Sequence, residues 1–335
     1  MPSTRELFGE KEGGTPLIEL HSHGPEEAKV DVSLPVCYRN TPWALTLAHA
    51  LGLGIYRHDG LVQYFDNPES WEDAGYKVVS GAFEPGSRVT LERHEQSYPE
   101  YFERFLQRDD AVSHHAFLDE FAQADWLAGA VEANLSTDEL EADDILVILP
   151  NAYTAKSAYN TVMRALEKRG IDSHLAGVTT SRDTIFSKDS VAVANVYRSK
   201  GNEASMVYIL NSQHCFAGYE LLRLRNTLFT AITRSRAWVR VCGWGEEMGG
   251  LIAEINQAAQ NDYRLTFTVP SPEELQKMKR VHRERTREEV SRIRTDVEGV
   301  RDLIELLRSG ELSLEALPAD VRAGMATFFP TKRVI

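Results

Sequence analysis

Continuous apolar runs alternate with helical patterns in the middle of the chain. The run at 145–150 has the pattern of a strand that is buried on both faces. Further strand candidates follow at 191–196, 206–210 and 238–244. Helical patterns fill about 153–169 and 218–234. Strands that alternate with helices of this length predict an α/β fold, with a parallel sheet and helices on both of its faces.

The region before this alternation begins with a helix signal. Thr41 is a suitable N-cap, and Pro42 follows at the first helical position, where its missing N–H has no cost. A helix is therefore predicted over 41–56. A short strand is predicted at 17–20, where the sequence reads Leu-Ile-Glu-Leu.

A small insertion is predicted between this helix and the alternating region. Residues 77–93 predict two strands around a Pro-Gly turn, and residues 113–134 predict a helix. We expect one domain at 1–260 that contains a strand-bearing insertion at about 60–135.

The remainder, 261–335, is predicted to be a helical C-terminal segment. Its apolar side chains recur at spacings of three and four: Val290, Ile293, Val297, Val300, Ile304 and Leu307. This spacing places them on one stripe of a helix. We expect the stripe to pack on the first domain, or to become a partner surface if it stays exposed. A basic run at 277–294 indicates a solvated helix face or a contact with DNA or a partner.

Composition and charge exclude several classes of protein. The 335 residues include 37 Lys and Arg against 50 Asp and Glu, a net charge of −13, which argues against binding nucleic acid by bulk attraction. A local basic groove remains open. No run reaches the ~18 apolar residues of a membrane span, so no membrane association is expected.

The cysteines and histidines predict no metal site. Cys37, Cys215 and Cys242 lie far apart without a CxxC pair, and three unpaired thiols fit a reducing cytosol. His114 and His115 are adjacent, and no third ligand follows at a recognisable spacing. We therefore predict a cytoplasmic protein without a bound metal of its own.

The signature of a complete nucleotide-hydrolysing fold is missing. The chain has no Gly-Lys dipeptide, and so it has no phosphate loop of the GxxxxGK[ST] type. Asp119 and Glu120 resemble a Mg²⁺-holding pair, but the preceding 113–116 does not have the pattern of a buried strand. We expect that this chain cannot hydrolyse ATP unaided.

Three segments carry candidate chemistry beside predicted strand ends, where open α/β sheets collect ligands. They are Cys37–Thr41 before a helix, Tyr197–Ala204 between two strand candidates, and Arg225–Arg234 where a helix leads into a strand.

In this order, the segments resemble the late motifs of superfamily I helicases of the UvrD/Rep type. Tyr38-Arg39-Asn40 is similar to motif IV, Lys200-Gly201-Asn202-Glu203 to motif V, and Ala231-Ile232-Thr233-Arg234 to motif VI. The resemblance implies the second, C-terminal RecA-like motor domain. The phosphate loop would belong to a first motor domain, encoded upstream in the same gene or as a separate subunit.

The resemblance also implies roles for individual residues. ATP binds between the two motor domains, and the first domain holds the Mg²⁺ ion. Arg39 and Arg234 would be arginine fingers that neutralise the transferred phosphoryl group. Tyr38 would stack on adenine, Glu203 would accept from the ribose hydroxyls, and Gly201 would let the backbone approach.

The same resemblance places single-stranded DNA or RNA near motif V. Tyr197 stands where many relatives have His and could stack on a base, Arg198 could contact a phosphate, and Lys200 completes the basic stretch.

Each candidate also has a structural interpretation. A buried Tyr38 or Tyr197, arginines in structural ion pairs and a solvated Glu203 would all fit the sequence. Arg225 is as compatible with a salt bridge as with a functional role.

The predicted function is the C-terminal half of an ATP-dependent helicase or translocase. Such a domain would complete the ATP site and grip a single strand of nucleic acid. The alternative is a non-catalytic RecA-like adaptor that binds nucleic acid or protein partners in a repair or defence complex.

Overall fold

The computed structural model describes residues 36–65, 68–152, 154–181, 184–282 and 286–328. Their contacts divide the chain into two compact units, Met1–Arg283 and Glu284–Ile335. The strand predicted at 17–20 lies outside the described residues.

The first unit combines strands and helices. Its strands are β1 (Tyr76–Ser80), β2 (Arg88–Arg93), β3 (Val112–Phe117), β4 (Ile145–Leu149), β5 (Ser173–Leu175), β6 (Val191–Asn195), β7 (Ala204–Ile209), β8 (Ser235–Trp244) and β9 (Leu265–Thr268). Its helices are α1 (Pro42–Leu53), α2 (Pro68–Asp73), α3 (Tyr101–Phe105), α4 (Arg108–Ala111), α5 (Glu120–Ser136), α6 (Ala155–Glu167), α7 (Leu221–Ile232), α8 (Glu246–Gln260) and α9 (Pro272–Val281).

Among the described residues, six of these strands form a parallel sheet in the order β3-β8-β7-β4-β6-β5. The central strand β4 is buried along its whole length, as its apolar run predicted. Its side chains alternate between two cores. Ile145, Val147 and Leu149 face the layer that contains α5 and α6, whereas Leu146 and Ile148 face the layer that contains α1, α7 and α8. The predicted α/β class, with a RecA-like parallel sheet flanked by helices, is confirmed.

A second, antiparallel sheet has the order β1-β2-β9. The β1–β2 hairpin confirms the two strands predicted around the Pro-Gly turn. Strand β9 lies beyond residue 260, and Leu275 and Met278 of α9 pack against the core of the first unit. The first compact unit therefore extends past the boundary that we place at 260 from the sequence.

The predicted helix at 113–134 is wrong over its first residues. Residues 112–117 form β3, which pairs in parallel with β8, and the helix that follows is α5. Polar side chains are tolerated in β3 because it is an edge strand, with only Val112 fully buried. Asp119 caps α5 by accepting from the N–H of Ala122 at 2.8 Å, so this carboxylate has a structural use.

The helix start predicted at Thr41 is confirmed. The Thr41 hydroxyl accepts from the N–H of Ala44 at 3.2 Å, and Pro42 occupies the first turn of α1. This cap fixes the direction in which residues 38–40 enter the helix.

The second unit contains α10 (Arg287–Ser309) and α11 (Ala319–Phe328). The helical pattern of 272–308 is thus divided between α9 and α10, and the predicted basic run falls on both. A reciprocal capping box of Thr286 and Glu289 starts α10, and Gly310 ends it in the left-handed conformation.

Candidate functional site

Residues from motifs IV and V meet in an ion pair at the surface of the first unit. The Nε atom of Arg39 lies 2.6 Å from Oε2 of Glu203, and the two side chains are 49% and 38% exposed. Arg236, at the start of β8, places its Nε atom 3.8 Å from the other Glu203 oxygen. One carboxylate therefore contacts two guanidinium groups in an accessible place.

Arg234 of motif VI belongs to the same cluster. Its backbone carbonyl accepts from the N–H of Ala204 at 3.0 Å, which places Arg234 beside Glu203. Burial, followed by the neighbouring Arg39 cation, lowers the pKa of Arg234, while Glu203 opposes that shift. The structure therefore brings Arg39 and Arg234 together, and the Arg39 cation disfavours the charged state of Arg234.

Backbone carbonyls hold the Arg234 side chain in place. Its Nε donates to the carbonyl of Thr230 at 3.1 Å, and one terminal nitrogen donates to that of Asn202 at 3.5 Å. The described contacts give Arg234 no buried carboxylate partner. The interpretation of Arg234 as an internal ion-pair residue is therefore not supported.

Asn40 connects motif IV to motif VI. This side chain is buried, and its amide nitrogen donates to the carbonyls of Thr233 at 3.1 Å and Ser235 at 2.7 Å. These acceptors flank Arg234 in the chain, whereas Asn40 directly follows Arg39. The two hydrogen bonds therefore fix the relative positions of the two arginines.

The cluster lies at the amino ends of two parallel strands. Glu203 immediately precedes β7, and Arg234 immediately precedes β8. The ligand-binding edge of open α/β sheets is usually the carboxyl edge. Glu203 and Arg234 lie next to strand ends, as expected, but at the amino edge, because the chain enters the sheet directly after each of them.

Tyr38 of motif IV and Gly201 of motif V both lie on accessible parts of the chain. Tyr38 is 69% exposed, so its interpretation as a core aromatic is wrong. Gly201 has φ of +84°, in the left-handed region, and the space where a Cβ would stand is open. A side chain there would strain the backbone without meeting a neighbour.

The segment 196–203 runs along the sheet, from the carboxyl ends of its parallel strands to their amino ends. It leaves the carboxyl end of β6 and reaches the amino end of β7, and β4 lies between these two parallel strands. Tyr197 therefore lies near the carboxyl edge, whereas Glu203 lies at the opposite edge.

The predicted nucleic-acid contacts occupy the first part of that segment. Tyr197 and Lys200 are exposed, and the Tyr197 hydroxyl accepts from Arg223 at 3.0 Å. Arg198 is half-buried, with its guanidinium group against Gly177. The Asn195 side chain accepts from the N–H groups of Tyr197 and Arg198, which fixes the turn that presents them.

Arg225 has a structural role. It is fully buried and pairs with Glu254 through two hydrogen bonds, of 2.7 and 2.8 Å. It also donates to the carbonyls of Leu51 and Phe216. Of the two interpretations open from the sequence, the salt bridge is the one observed.

Sequence reasoning missed two members of the site. Asn40 was part of the motif but had no role, and Arg236 was not considered. A buried amide cannot be recognised without its acceptors. Arg236 had a signal, because it stands two residues after Arg234 and just before the strand predicted at 238–244; in the structure it is an exposed residue of β8.

The donor set suits a phosphorylated ligand better than a metal ion. Two guanidinium groups contact the single Glu203 carboxylate and the third, that of Arg234, lies nearby; guanidinium groups bind phosphate oxygens. Within the described ranges, no three His, Cys, Asp or Glu side chains gather as a metal site.

Residues 190–242 match the family model described as the UvrD-like helicase C-terminal domain. The predicted resemblance to UvrD/Rep-like helicases is confirmed. The UvrD-like match contains β6, β7, α7 and most of β8, and so it includes motifs V and VI. It associates the chain with a helicase-related role.

Similarities between this chain and solved structures are weak. One is the C-terminal domain of a possible DNA helicase from Lactobacillus plantarum, with 18% identity, a TM-score of 0.31, and coverage of 41% of this chain and 74% of that one. Another is arterivirus nonstructural protein 10, a helicase, in complex with DNA. It has 13% identity, a TM-score of 0.26, and coverage of 50% of this chain and 40% of that one.

A second structure of the arterivirus helicase has 11% identity and a TM-score of 0.26, and this chain spans 38% of its length. These similarities are too low to transfer binding or activity. No curated protein matches the sequence. In the part of the chain that the structure describes, none of the helices has the length and apolar character needed to cross a bilayer.

Proposed function

We propose that this chain is the second motor domain of an ATP-dependent superfamily I helicase or translocase. It would complete an ATP site whose phosphate loop and Mg²⁺ ligands belong to a first motor domain. The observation that supports this best is the convergence of Arg39 and Arg234 on Glu203. Asn40 bridges the same two motifs across 193 positions of sequence.

The cluster has the charge that such a site requires. Arg39, Arg234 and Arg236 would hold the phosphate oxygens, Glu203 would accept from the ribose hydroxyls, and Tyr38 would stack on the base. ATP would supply the phosphoryl group, and hydrolysis would drive the motor. Guanidinium groups fixed before binding can neutralise the developing negative charge without reorganisation, and an arginine finger accelerates phosphoryl transfer by ~10³–10⁵.

Tyr197, Arg198 and Lys200 would contact single-stranded DNA or RNA. These residues share segment 196–203 with Glu203, which supports a direct connection between the nucleotide site and the strand. Closure of the two motor domains would pull on this segment, and reopening would release it. The domain would thereby convert alternating nucleotide states into movement along the strand.

The first experiment measures phosphate release with Mg-ATP and single-stranded DNA. We expect negligible turnover from this chain alone and activity when the P-loop-bearing first motor domain is present. Arg39→Ala and Arg234→Ala should each lower kcat of the assembled motor by ~10³–10⁵. Turnover by the pure chain would contradict the proposal.

Arg108→Ala is the matched control for Arg39→Ala. Arg108 is also an exposed arginine in an ion pair, 2.8 Å from Asp262, and its side chain is 50% exposed. Loss of activity in both variants would indicate a general effect of removing surface charge. Loss in Arg39→Ala alone supports a role in the ATP site.

The second experiment measures binding of a labelled single-stranded oligonucleotide by fluorescence anisotropy. Tyr197→Ala should weaken binding by ~1–3 kcal/mol if the ring stacks on a base. Lys200→Ala should weaken binding and reduce its salt dependence, whereas Lys168→Ala, at an exposed helix end, should change neither. Unchanged binding in both site variants would contradict the nucleic-acid assignment.

The adaptor alternative predicts a different combination of results. An adaptor would bind nucleic acid or protein partners, and its binding would not respond to Arg39→Ala or Arg234→Ala. The exposure of Arg39 and the position of Arg234 at the accessible sheet edge favour the motor domain.

A further inference from the structure

The second unit lacks a buried core in its described residues. No described side chain from 286 to 325 is buried. The apolar stripe of α10 is half-buried at its ends and exposed in the middle, where Val300 is 55% exposed. A helix with six apolar side chains on one stripe gains most of its stability by burying them.

The spacing of the stripe is that of a coiled coil. Steps of three and four residues alternate without interruption from Val290 to Leu307, which is the a and d pattern of the heptad repeat. The a positions are Val290, Val297 and Ile304, and the d positions are Ile293, Val300 and Leu307. An α-helix on a core of its own domain follows a wider stripe, whereas a strict a and d seam fits another helix of the same kind.

The charges beside this seam define which helix fits. The three e positions are all arginine: Arg294, Arg301 and Arg308. The first two g positions are acidic, Glu289 and Asp296, and the third is Leu303. Pairs between g and e positions determine partner choice and orientation in coiled coils.

A second copy of this chain in parallel orientation satisfies that pattern. In a parallel pair, each g position faces the e position of the other helix, so Asp296 of one copy approaches Arg301 of the other. In an antiparallel pair, the e rows face each other and place arginine against arginine, which is unfavourable.

We propose that copies of this chain associate through α10 as a parallel coiled coil. The 23 residues of the helix provide the three heptads that carry the seam. The capping box at Thr286 and the left-handed Gly310 define the ends of the helix outside the seam. This association is independent of the proposed motor function, and neither depends on the other being correct.

The first test measures the mass of the full-length chain in solution by light scattering. We expect two or three copies, because five of the six a and d residues are β-branched, a composition that is compatible with either number. Val297→Asp should convert the assembly to a single copy of 37.7 kDa. Thr295→Asp introduces the same charge at the outward f position and should leave the assembly unchanged. A parent chain that is monomeric at micromolar concentrations would overturn the proposal.

Circular dichroism and thermal unfolding of both variants test whether each variant still folds. Val297 is exposed, so its substitution leaves the buried cores of the first unit intact. We expect an unchanged main unfolding transition in Val297→Asp and loss of helical signal only from the dissociated α10. Equal loss of association in Thr295→Asp would contradict the assignment of the contact to the a and d positions.

The second test examines the charge pairs. Asp296→Arg should weaken association by placing like charges together, and the double substitution Asp296→Arg with Arg301→Asp should restore it. Association that depends only on apolar contact would be insensitive to both. That insensitivity would overturn the proposed parallel pairing.

The third test reads the orientation directly. Leu307→Cys places a thiol at a d position, where identical residues of parallel helices face each other. We expect a disulfide between copies after mild oxidation, and none in the parent chain under the same conditions. An assembly that forms normally but never links through this cysteine would be antiparallel and would contradict the proposal.

Discussion

Two arginines of one short segment have opposite surroundings in this fold. Arg225 lies within α7, fully buried, and its guanidinium group pairs with Glu254 through both terminal nitrogens. Arg234 follows the end of the same helix, at an accessible sheet edge beside Arg39 and Glu203. Arg225 pairs with one carboxylate, Glu254, whereas Arg234 belongs to a cluster of three arginines and one carboxylate.

This difference separates a structural arginine from a candidate binding arginine. A charge taken out of water must find a matched partner, and Arg225 also uses two backbone carbonyls. At the sheet edge, Arg39 and Arg236 share the single Glu203 carboxylate, so the cluster keeps an excess of positive charge that a bound anion would neutralise. From the sequence, Arg234 belonged to motif VI, whereas Arg225 was equally compatible with a salt bridge and with a functional role.

The largest effect is expected from breaking the buried pair. Arg225→Met leaves Glu254 buried without its cation, and removal of one partner from a buried pair costs about 3–5 kcal/mol. Urea denaturation should show this loss as a lower midpoint with an unchanged slope. Arg225→Met together with Glu254→Leu should recover part of the stability, because no charge then remains buried. If Arg225→Met were as stable as the parent, Arg225 would no longer differ from Arg234 as a structural arginine.

A smaller loss is expected from Asn40→Ala. The substitution leaves the carbonyls of Thr233 and Ser235 without the donor they have in the structure, at a cost of about 1–3 kcal/mol. It should also release Arg39 from its fixed position relative to Arg234. Thermal unfolding measures the first effect, and kcat of the assembled motor measures the second. A stability loss with unchanged kcat would show that Asn40 supports the fold but not the site.

The buried layer around α1 provides a pH test. Burial, reinforced by the nearby Arg93 cation, lowers the pKa of His49 to about 3 from its usual 6.5. Below pH 6.5 the unfolded chain takes up a proton that the folded chain refuses until about pH 3. Stability therefore falls as the pH decreases through this window, by at most about 1.4 kcal/mol per pH unit from this group.

His49→Gln should remove this contribution. Because glutamine does not titrate, the stability of the variant should depend less on pH between 6.5 and 4 than that of the parent. Above pH 6.5 the two curves should run parallel. Identical slopes throughout would mean that the folded chain protonates His49 as readily as the unfolded chain does.

The smallest stability effect is expected at the edge cluster. The Arg39–Glu203 ion pair is exposed, and pairs of this kind contribute about 0–1 kcal/mol. Arg39→Ala and Glu203→Gln should therefore unfold within about 1 kcal/mol of the parent in urea. A loss as large as that of Arg225→Met would show that the cluster is structural and would weaken its assignment as a binding site.

Several elements could be predicted from the sequence pattern, because the interactions that form them involve residues close together in the chain. Strand β4 is apolar at every position and is buried on both faces, and the Thr41 cap acts within a single turn. Strand β3 was missed because edge strands need little apolar content. Strand β9 was missed because its identity depends on β2, which lies far away in sequence.

The sequence by itself determined the parallel α/β core, the three motifs in their order, and the heptad spacing of α10. These features depend on side-chain periodicity and on residues that are close in the chain. Only the tertiary structure decided that Arg39 and Arg234 meet at Glu203, that Asn40 braces them, and that Arg225 is buried instead. A side chain acquires its electrostatic surroundings from residues distant in sequence, and folding brings those residues into contact.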